Sequence, residues 1–318
     1  MFLENGFLPQ NKFWKYLVGS FIIIIASTFG QIPWVIAVAI KSFKVGKPFP
    51  TTEKGMMNFL NLNTTLFLLL FSFVVAFFAL ILVIQYLHKQ TLLSVTTSRK
   101  KIDWNRILFS FFLWGIFTAS STLVMFYYAP SNFVYNFKPI PFFILALIGT
   151  LLIPIQTSTE EYVFRGYLMQ GFAVLSKNRW FPLVLTSVIF GSMHIANPEV
   201  EKMGYIILVY YIGTGFFLGI ITLMDEGMEL ALGFHAANNL ITALLITSDW
   251  SAFQTNSVFK DVSSPSAGFE ILIPVFIIFP LLLFIFSKKY NWSNWKEKLT
   301  GTIEIKKLEP TQKLDYNE

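Results

Sequence analysis

The sequence predicts an all-α protein, a polytopic transmembrane helix bundle with about eight spans. Of its 318 residues, 54% are hydrophobic and 18% aromatic, whereas only 13% are charged. Soluble domains carry roughly 25% charged residues, so this composition excludes an ordinary water-soluble globule. The apolar residues also gather into long runs of about 20 residues, the length that an α-helix needs to cross a bilayer.

Hydropathy, turn residues and charges define the order of the predicted elements. Lys12 and Lys15 precede the first run, which is too long for a signal-peptide core and is interpreted as a retained span. A further apolar-faced helix is predicted at 160–175, after a break or kink at Pro154. The eight predicted spans are 17–40, 65–87, 107–129, 141–158, 181–197, 204–224, 229–247 and 269–287.

These elements divide the chain into four predicted regions, with no second folded domain and no apparent internal repeat. They are three N-terminal spans with a basic loop (1–140), a core that contains the polar motifs (141–247), a loop with the last span (248–287), and a basic, disordered tail (288–318).

The net charge of +6 reflects membrane topology better than nucleic-acid binding, because the basic residues are scattered and no nucleic-acid motif accompanies them. No nucleic-acid partner is therefore expected. Most Lys and Arg residues fall on one predicted side, which favours a plasma-membrane protein with both termini in the cytoplasm. Four lysines of the first outer loop, within 41–54, argue against that orientation. The chain contains no cysteine, which excludes disulfides, thiolate metal sites and cysteine nucleophiles.

Three polar clusters interrupt the apolar segments. An ionisable side chain near the bilayer centre costs roughly 2.5–3.5 kcal/mol or more, so each one is a functional candidate. The clusters are Glu160-Glu161-Tyr-Val-Phe-Arg165-Gly166, Phe190-Gly-Ser-Met-His194 and His235-Ala-Ala-Asn238-Asn239.

In the first cluster, Glu161 and Arg165 are four residues apart and are predicted to form an ion pair on one helix face. Glu160 lies about 100° around the same helix, where a poorly solvated carboxylate can serve as a general base. The structural alternative is a capping box at Ser158-Thr-Glu-Glu161, in which both glutamates complement a helix start.

Each histidine also has a structural alternative. His194 alone would more often be a hydrogen-bonded core residue, and His235 with Asn239 could form an interhelical contact. His88 ends a span beside Lys89 and is interpreted as an interfacial residue without a role.

Together, two glutamates, two histidines, an arginine and an asparagine provide a base for water, groups that orient it and donors for an oxyanion, as a hydrolase needs. Other functions stay open. A serine mechanism with Ser192 and His194 is a weaker alternative, because the chain contains no Gly-x-Ser-x-Gly elbow. A non-enzymatic immunity or regulatory protein that binds a peptide or sensor is a second, and a proton-coupled transporter a third.

The three clusters, in this order and on separate apolar segments, resemble the CPBP (Abi) family of intramembrane proteases, which includes CAAX proteases and bacteriocin-processing enzymes. Glu160-Glu161-x-x-x-Arg165 is similar to the first family motif, Phe190-x-x-x-His194 to the second and His235-x-x-x-Asn239 to the last. The resemblance covers residues 141–245. The acidic segment 225–229 departs from the expected pattern and is interpreted as a loop.

The resemblance implies an endopeptidase that cleaves a membrane-associated peptide or protein. Glu160 would activate water with help from His194, His235 and Asn239 would stabilise the oxyanion, and Glu161 with Arg165 would support the site. The family is described both as metalloproteases and as glutamate-dependent proteases. Zn²⁺ held by Glu160, His194 and His235 is therefore an open alternative to metal-free chemistry.

Overall fold

The computed structural model describes residues 2–265 and 268–304 of the chain. In this part the protein is an all-helical bundle with three very short strands, which confirms the predicted fold class. The helices before the first strand are α1 (Phe13–Gly30), α2 (Ile32–Val45), α3 (Glu53–Met57), α4 (Leu62–Leu82, extended by a π-helical turn at Val83–Leu87), α5 (Leu92–Thr96) and α6 (Trp104–Tyr128).

Among the described residues, eight further α-helices follow the first strand. They are α7 (Pro139–Glu161), α8 (Met169–Ser176), α9 (Trp180–Ser192), α10 (Pro198–Met203), α11 (Ile207–Asp225), α12 (Glu229–Leu245), α13 (Phe279–Lys289) and α14 (Trp295–Thr300). A π-helical turn at Tyr162–Leu168 joins α7 to α8, and a further one at Pro274–Ile278 precedes α13.

A small sheet lies at one end of the bundle. It consists of β1 (Phe133–Tyr135), β2 (Ile246–Ser248) and β3 (Phe259–Asp261). The central strand β3 runs antiparallel to β1 and parallel to β2. Because β1 follows α6 and β2 follows α12, the sheet ties together the ends of these two helices.

The prediction of separate helices at 141–158 and 160–175 is wrong. One helical run extends over Pro139–Ser176 and continues past Pro154. A proline removes only one backbone donor, and membrane helices tolerate that loss where neighbouring groups compensate. Glu160 and Glu161 therefore lie inside a helical run, and the capping-box alternative is wrong as well.

The number of eight spans is not confirmed. Among the described residues, five helical runs are long and apolar enough to cross a membrane: Phe13–Val45, Leu62–Leu87, Trp104–Tyr128, Pro139–Ser176 and Ile207–Asp225. The spans predicted at 181–197, 229–247 and 269–287 coincide with the shorter α9, α12 and α13. Of the predicted tail, 288–304 contains α14 and the buried Ile303, and 305–318 lies outside the described residues.

Small residues allow the helices around the site to approach closely. α12 packs mainly on α6 and α7, and α11 packs on α9. A Cβ atom on Gly215 of α11 would lie 2.7 Å from the carbonyl oxygen of Ser187 on α9, and one on Gly219 would lie 2.5 Å from Leu183. The Gly215-x-x-x-Gly219 stretch therefore packs two helices of the same chain.

His88 directly follows the helical run Leu62–Leu87, at the end of a span as predicted. Its side chain is completely buried. Nδ1 lies 2.9 Å from Oδ1 of Asn11, and Nε2 lies 2.9 Å from the hydroxyl of Tyr167. His88 therefore joins the segment before α1 to the π-helical turn that follows α7.

Candidate active site

The two adjacent glutamates end α7 in different environments. Glu161 is completely buried, whereas 20% of the Glu160 side chain is exposed. Successive residues of a helix are rotated by about 100°, so the two carboxylates point to different neighbours. Of the two carboxylates, that of Glu160 is the one that is partly exposed.

Glu161 forms the predicted ion pair with Arg165. Nη1 of Arg165 donates to Oε1 of Glu161 at 3.0 Å, and the arginine side chain is only 1% exposed. Nη2 also donates to the carbonyl oxygen of Gly215 at 3.3 Å, and the guanidinium lies over the ring of Phe190, 4.3 Å from its centroid. Arg165 therefore connects α7, α9 and α11 and compensates the charge of the buried Glu161.

His235 lies between the two carboxylates. Its Nδ1 is 2.7 Å from Oε1 of Glu161, and its Nε2 is 3.4 Å from Oε2 of Glu160. An imidazole whose Nδ1–H donates to a buried carboxylate has a fixed ring orientation, and this leaves Nε2 facing Glu160. The contact between Glu161 and His235 was not predicted, because the two residues are distant in sequence and only the packing of α7 on α12 brings them together.

His194 lies just beyond the end of α9. Its Nδ1 hydrogen-bonds to the carbonyl oxygen of Phe190 at 2.8 Å, and its ring stacks on Tyr211 with the centroids 4.2 Å apart. Among the described residues, no hydrogen bond joins His194 to Glu160. The ring of Phe190 contacts both histidines, at 5.0 Å from His194 and 6.1 Å from His235. The structure thus places His194 near the other candidates, and the ring of Phe190 links it to His235.

Asn239 is connected to Glu160 by a glutamine, Gln156, that the sequence did not lead us to predict. Gln156 lies one helical turn before Glu160, and its Nε2 donates to Oε1 of Glu160 at 2.7 Å. Nδ2 of Asn239 donates to Oε1 of Gln156 at 3.1 Å. The spacing of four residues between Gln156 and Glu160, in an apolar run, was a signal that could have identified it.

Two more residues extend this network away from the carboxylate. Nδ2 of Asn238 donates to Oδ1 of Asn239 at 3.0 Å, and Nε1 of Trp114 on α6 donates to Oδ1 of Asn238 at 3.0 Å. Asn238 belongs to the third motif, but no sequence signal distinguishes Trp114 from the other aromatic residues of a membrane helix.

The site lies well inside the bundle. His235 is six residues from Glu229, where α12 begins, which corresponds to a depth of about 9 Å at a rise of 1.5 Å per residue. The whole helix has 17 residues and is about 26 Å long. The polar groups therefore lie away from the start of α12 and inside the bundle, where unpaired polar groups are costly and a satisfied network is expected.

Zinc binding would require Glu160, His194 and His235 to converge on one point from separate helices. Among the described residues, no three His, Asp or Glu side chains are grouped so that they could hold a metal ion. Glu160 and His235 are close, but Nδ1 of His194 is engaged with a backbone carbonyl. Zinc ligation by Glu160, His194 and His235 stays a prediction.

A known protein family matches the part of the chain that contains the predicted site residues. Residues 138–241 match the family model described as Type II CAAX prenyl endopeptidase Rce1-like, and this range contains all six predicted site residues. The predicted resemblance to the CPBP family is thereby confirmed. The chain is also 29% identical over 259 residues to the "Uncharacterized protein YyaK" of Bacillus subtilis (strain 168), which covers 80% of this chain and 83% of that protein. No solved structure matches the chain.

Proposed function

We propose that this chain, with its Rce1-like region at 138–241, is an intramembrane endopeptidase that hydrolyses a peptide bond in a membrane-associated protein or peptide. The observation that carries the proposal is the environment of Glu160. This carboxylate is partly exposed inside the bundle, accepts a hydrogen bond from Gln156 and faces Nε2 of His235. A partly exposed carboxylate with one oxygen fixed by a hydrogen bond suits general-base catalysis.

In the proposed reaction, Glu160 removes a proton from a water molecule, whose oxygen attacks the carbonyl carbon of the scissile peptide bond. The carbon–nitrogen bond then breaks, and Glu160 returns the proton to the departing amine. His194 assists by orienting the water from the end of α9. Catalytic hydrogen bonds often form fully only when substrate is bound, so the present position of His194 is compatible with this role.

The developing oxyanion requires donors. Asn239 uses one hydrogen of its Nδ2 for Gln156, and the second hydrogen is available to a substrate oxygen. Nε2 of His235, which faces Glu160, is the second proposed donor group. Each such donor is typically worth about 10²–10³ in kcat. Glu161 and Arg165 contribute indirectly, because their buried ion pair fixes the ring of His235.

The matched family is named for prenylated CAAX substrates, so a prenylated peptide is the first substrate to test.

The proposed location of the protein is the plasma membrane, where it contacts lipids and has both termini in the cytoplasm.

The test uses the purified full-length protein in liposomes with two peptide probes, one farnesylated and one unmodified, and with membranes from cells that naturally carry the protein. Hydrolysis is measured by mass spectrometry in H₂¹⁸O, because a new carboxyl terminus takes up the heavy oxygen. The wild type and Glu201→Gln, which changes an exposed carboxylate, should cleave equally. Glu160→Gln should lower kcat by at least about 10²-fold.

Cleavage at an unchanged rate by Glu160→Gln would contradict the proposed base. A wild-type protein that cleaves neither probe and no protein of its natural membranes would contradict the endopeptidase function and favour the non-enzymatic alternative. Preference for the unmodified probe would retain the endopeptidase and exclude a prenyl requirement.

A further inference from the structure

A cleft opens at the end of the bundle where α6 begins. It has a volume of about 620 Å³ and is lined by the consecutive residues Arg99–Asn105. Binding sites for small molecules have volumes of about 300–1,000 Å³, so the cleft is large enough for a charged headgroup. The lining residues lie outside the candidate active site and outside the matched range 138–241.

The loop that lines the cleft is fixed at two points. At one edge, Nη2 of Arg99 lies 3.0 Å from Oδ2 of Asp225, and Nη1 lies 3.1 Å from Oε2 of Glu229. The side chains of these two acids are only 2% and 0% exposed. At the other edge, Oδ1 of Asp103 accepts from the backbone N–H of Asn105 at 3.1 Å and caps α6. The residues between 99 and 103 are therefore held in place from both sides.

Two lysines of this loop carry uncompensated positive charges. The acid of the cleft lining, Asp103, is already paired, because its Oδ2 lies 3.0 Å from Nε of Arg106. Lys100 and Lys101 are both exposed and form no ion pair or hydrogen bond among the described residues. Because the loop is fixed, these two ammonium groups line the cleft together, and an anion could bind them with little loss of backbone freedom.

An exposed apolar face of α6 leads away from the cleft. Trp104, Leu108 and Phe112 follow one another at intervals of four residues and therefore lie along one side of the helix. Their side chains are 64%, 48% and 57% exposed, and together they span about 12 Å at a rise of 1.5 Å per residue. α6 is long and apolar enough to cross a membrane, and tryptophan is enriched where such a helix meets the membrane–water interface. The cleft is thus expected at that interface, with the apolar face of α6 against acyl chains.

We propose that this cleft binds the headgroup of an anionic phospholipid, with the phosphate at Lys100 and Lys101 and an acyl chain along Trp104, Leu108 and Phe112. A free phosphate would use the lysines alone, whereas a phospholipid uses both the lysines and the apolar face. A zwitterionic lipid would place its own cationic group beside the two lysines, so a net negative headgroup fits best. The proposed site does not depend on the endopeptidase activity.

The test uses the full-length protein in micelles of an uncharged detergent, titrated with phosphatidylglycerol whose acyl chains are brominated. Bromine quenches the fluorescence of tryptophans that it contacts. The signal of Trp104 is the difference between the wild type and Trp104→Phe, which keeps an aromatic ring. Phosphatidylglycerol should quench Trp104 with an apparent Kd about tenfold lower than that of brominated phosphatidylcholine, because two lysines favour the anionic headgroup.

Three double variants locate the binding charges. One lysine near an anionic lipid surface strengthens binding about fivefold, so Lys100→Gln/Lys101→Gln should raise the apparent Kd about 10- to 30-fold. The matched control, Lys44→Gln/Lys47→Gln, removes two exposed lysines at the end of α2 and should leave the apparent Kd unchanged. Lys100→Arg/Lys101→Arg keeps both charges, and because arginine also binds phosphate it should stay within about threefold of the wild type.

Each result supports or overturns the lipid site. Equal apparent Kd values for the two lipids in the wild type would overturn it. Equal weakening by the control variant would also overturn it, because binding would then follow the total charge of the protein. Displacement of phosphatidylglycerol by sodium phosphate, but not by sodium chloride at the same ionic strength, would identify a free anion as the ligand. Where the glutamine variant does not fold, the arginine variant and the comparison of the two lipids still decide.

Discussion

The buried ion pair of Glu161 and Arg165 permits a quantitative prediction about stability. The side chains are 0% and 1% exposed, and their closest atoms are 3.0 Å apart. Substitution Arg165→Met keeps most of the apolar stem but leaves the carboxylate of Glu161 without its compensating cation. Removing one partner of a buried pair typically costs about 3–5 kcal/mol, because the remaining charge is poorly solvated. The free energy of unfolding should therefore fall by about this amount.

The exposed ion pair of Lys260 and Asp249 is a matched control. Their side chains are 33% and 76% exposed, and the atoms are 2.8 Å apart. Because water screens such a pair, Lys260→Met should cost less than about 1 kcal/mol. Arg165→Met and Lys260→Met thus remove ion pairs of similar length that differ in burial.

The assay is reversible unfolding in mixed micelles, followed by circular dichroism and analysed as a double-mutant cycle. The double variant Glu161→Gln/Arg165→Met removes both charges but keeps an oxygen that can accept from His235. It should recover part of the loss, with a coupling energy of about 1–3 kcal/mol. The reasoning would be refuted if Arg165→Met cost no more than Lys260→Met. It would also be refuted if the losses of stability in the single variants Glu161→Gln and Arg165→Met added up to the loss in the double variant.

Two further predictions concern helix packing and pH. Gly215→Ala should destabilise the protein by about 1–3 kcal/mol, because the added methyl group would meet a backbone carbonyl, whereas Gly268→Ala, in open space, should change thermal stability little. Burial lowers the pKa of His88 from 6.5 to about 4, so the unfolded chain binds more protons between these values. Stability should therefore fall as the pH drops from about 6.5 towards 4, by at most about 1.4 kcal/mol per pH unit, and unfolding of His88→Gln should show a flatter pH dependence.

The sequence predicted the all-helical fold because bilayer crossing imposes a strong hydropathy pattern, and it predicted the ion pair of Glu161 and Arg165 because four residues correspond to about one helical turn. It could not predict that α7 continues past Pro154. Propensity treats a proline as a break, and only the surrounding helices decide whether the helix continues.

The contacts within the site were harder to predict than its members. His235 and Asn239 were identified, but the partners that orient them, Glu161 and Gln156, depend on how α12 packs on α7. The roles of all six predicted residues stay predictions until the variants are measured. Trp114 shows the limit most clearly, because only the packing of α6 on α12 places its N–H group against Asn238.

Close packing and polar chemistry depend on each other in this bundle. Gly215 lacks a side chain, which allows α11 to approach α9, and the carbonyl oxygen of the same residue accepts a hydrogen bond from Arg165. A bulkier residue would separate the two helices and displace that carbonyl. Arg165 would then lose a contact that helps to hold Glu161 against His235. The glycine of α11 therefore influences the imidazole on α12 through a path of direct contacts, although it has no side chain to contribute.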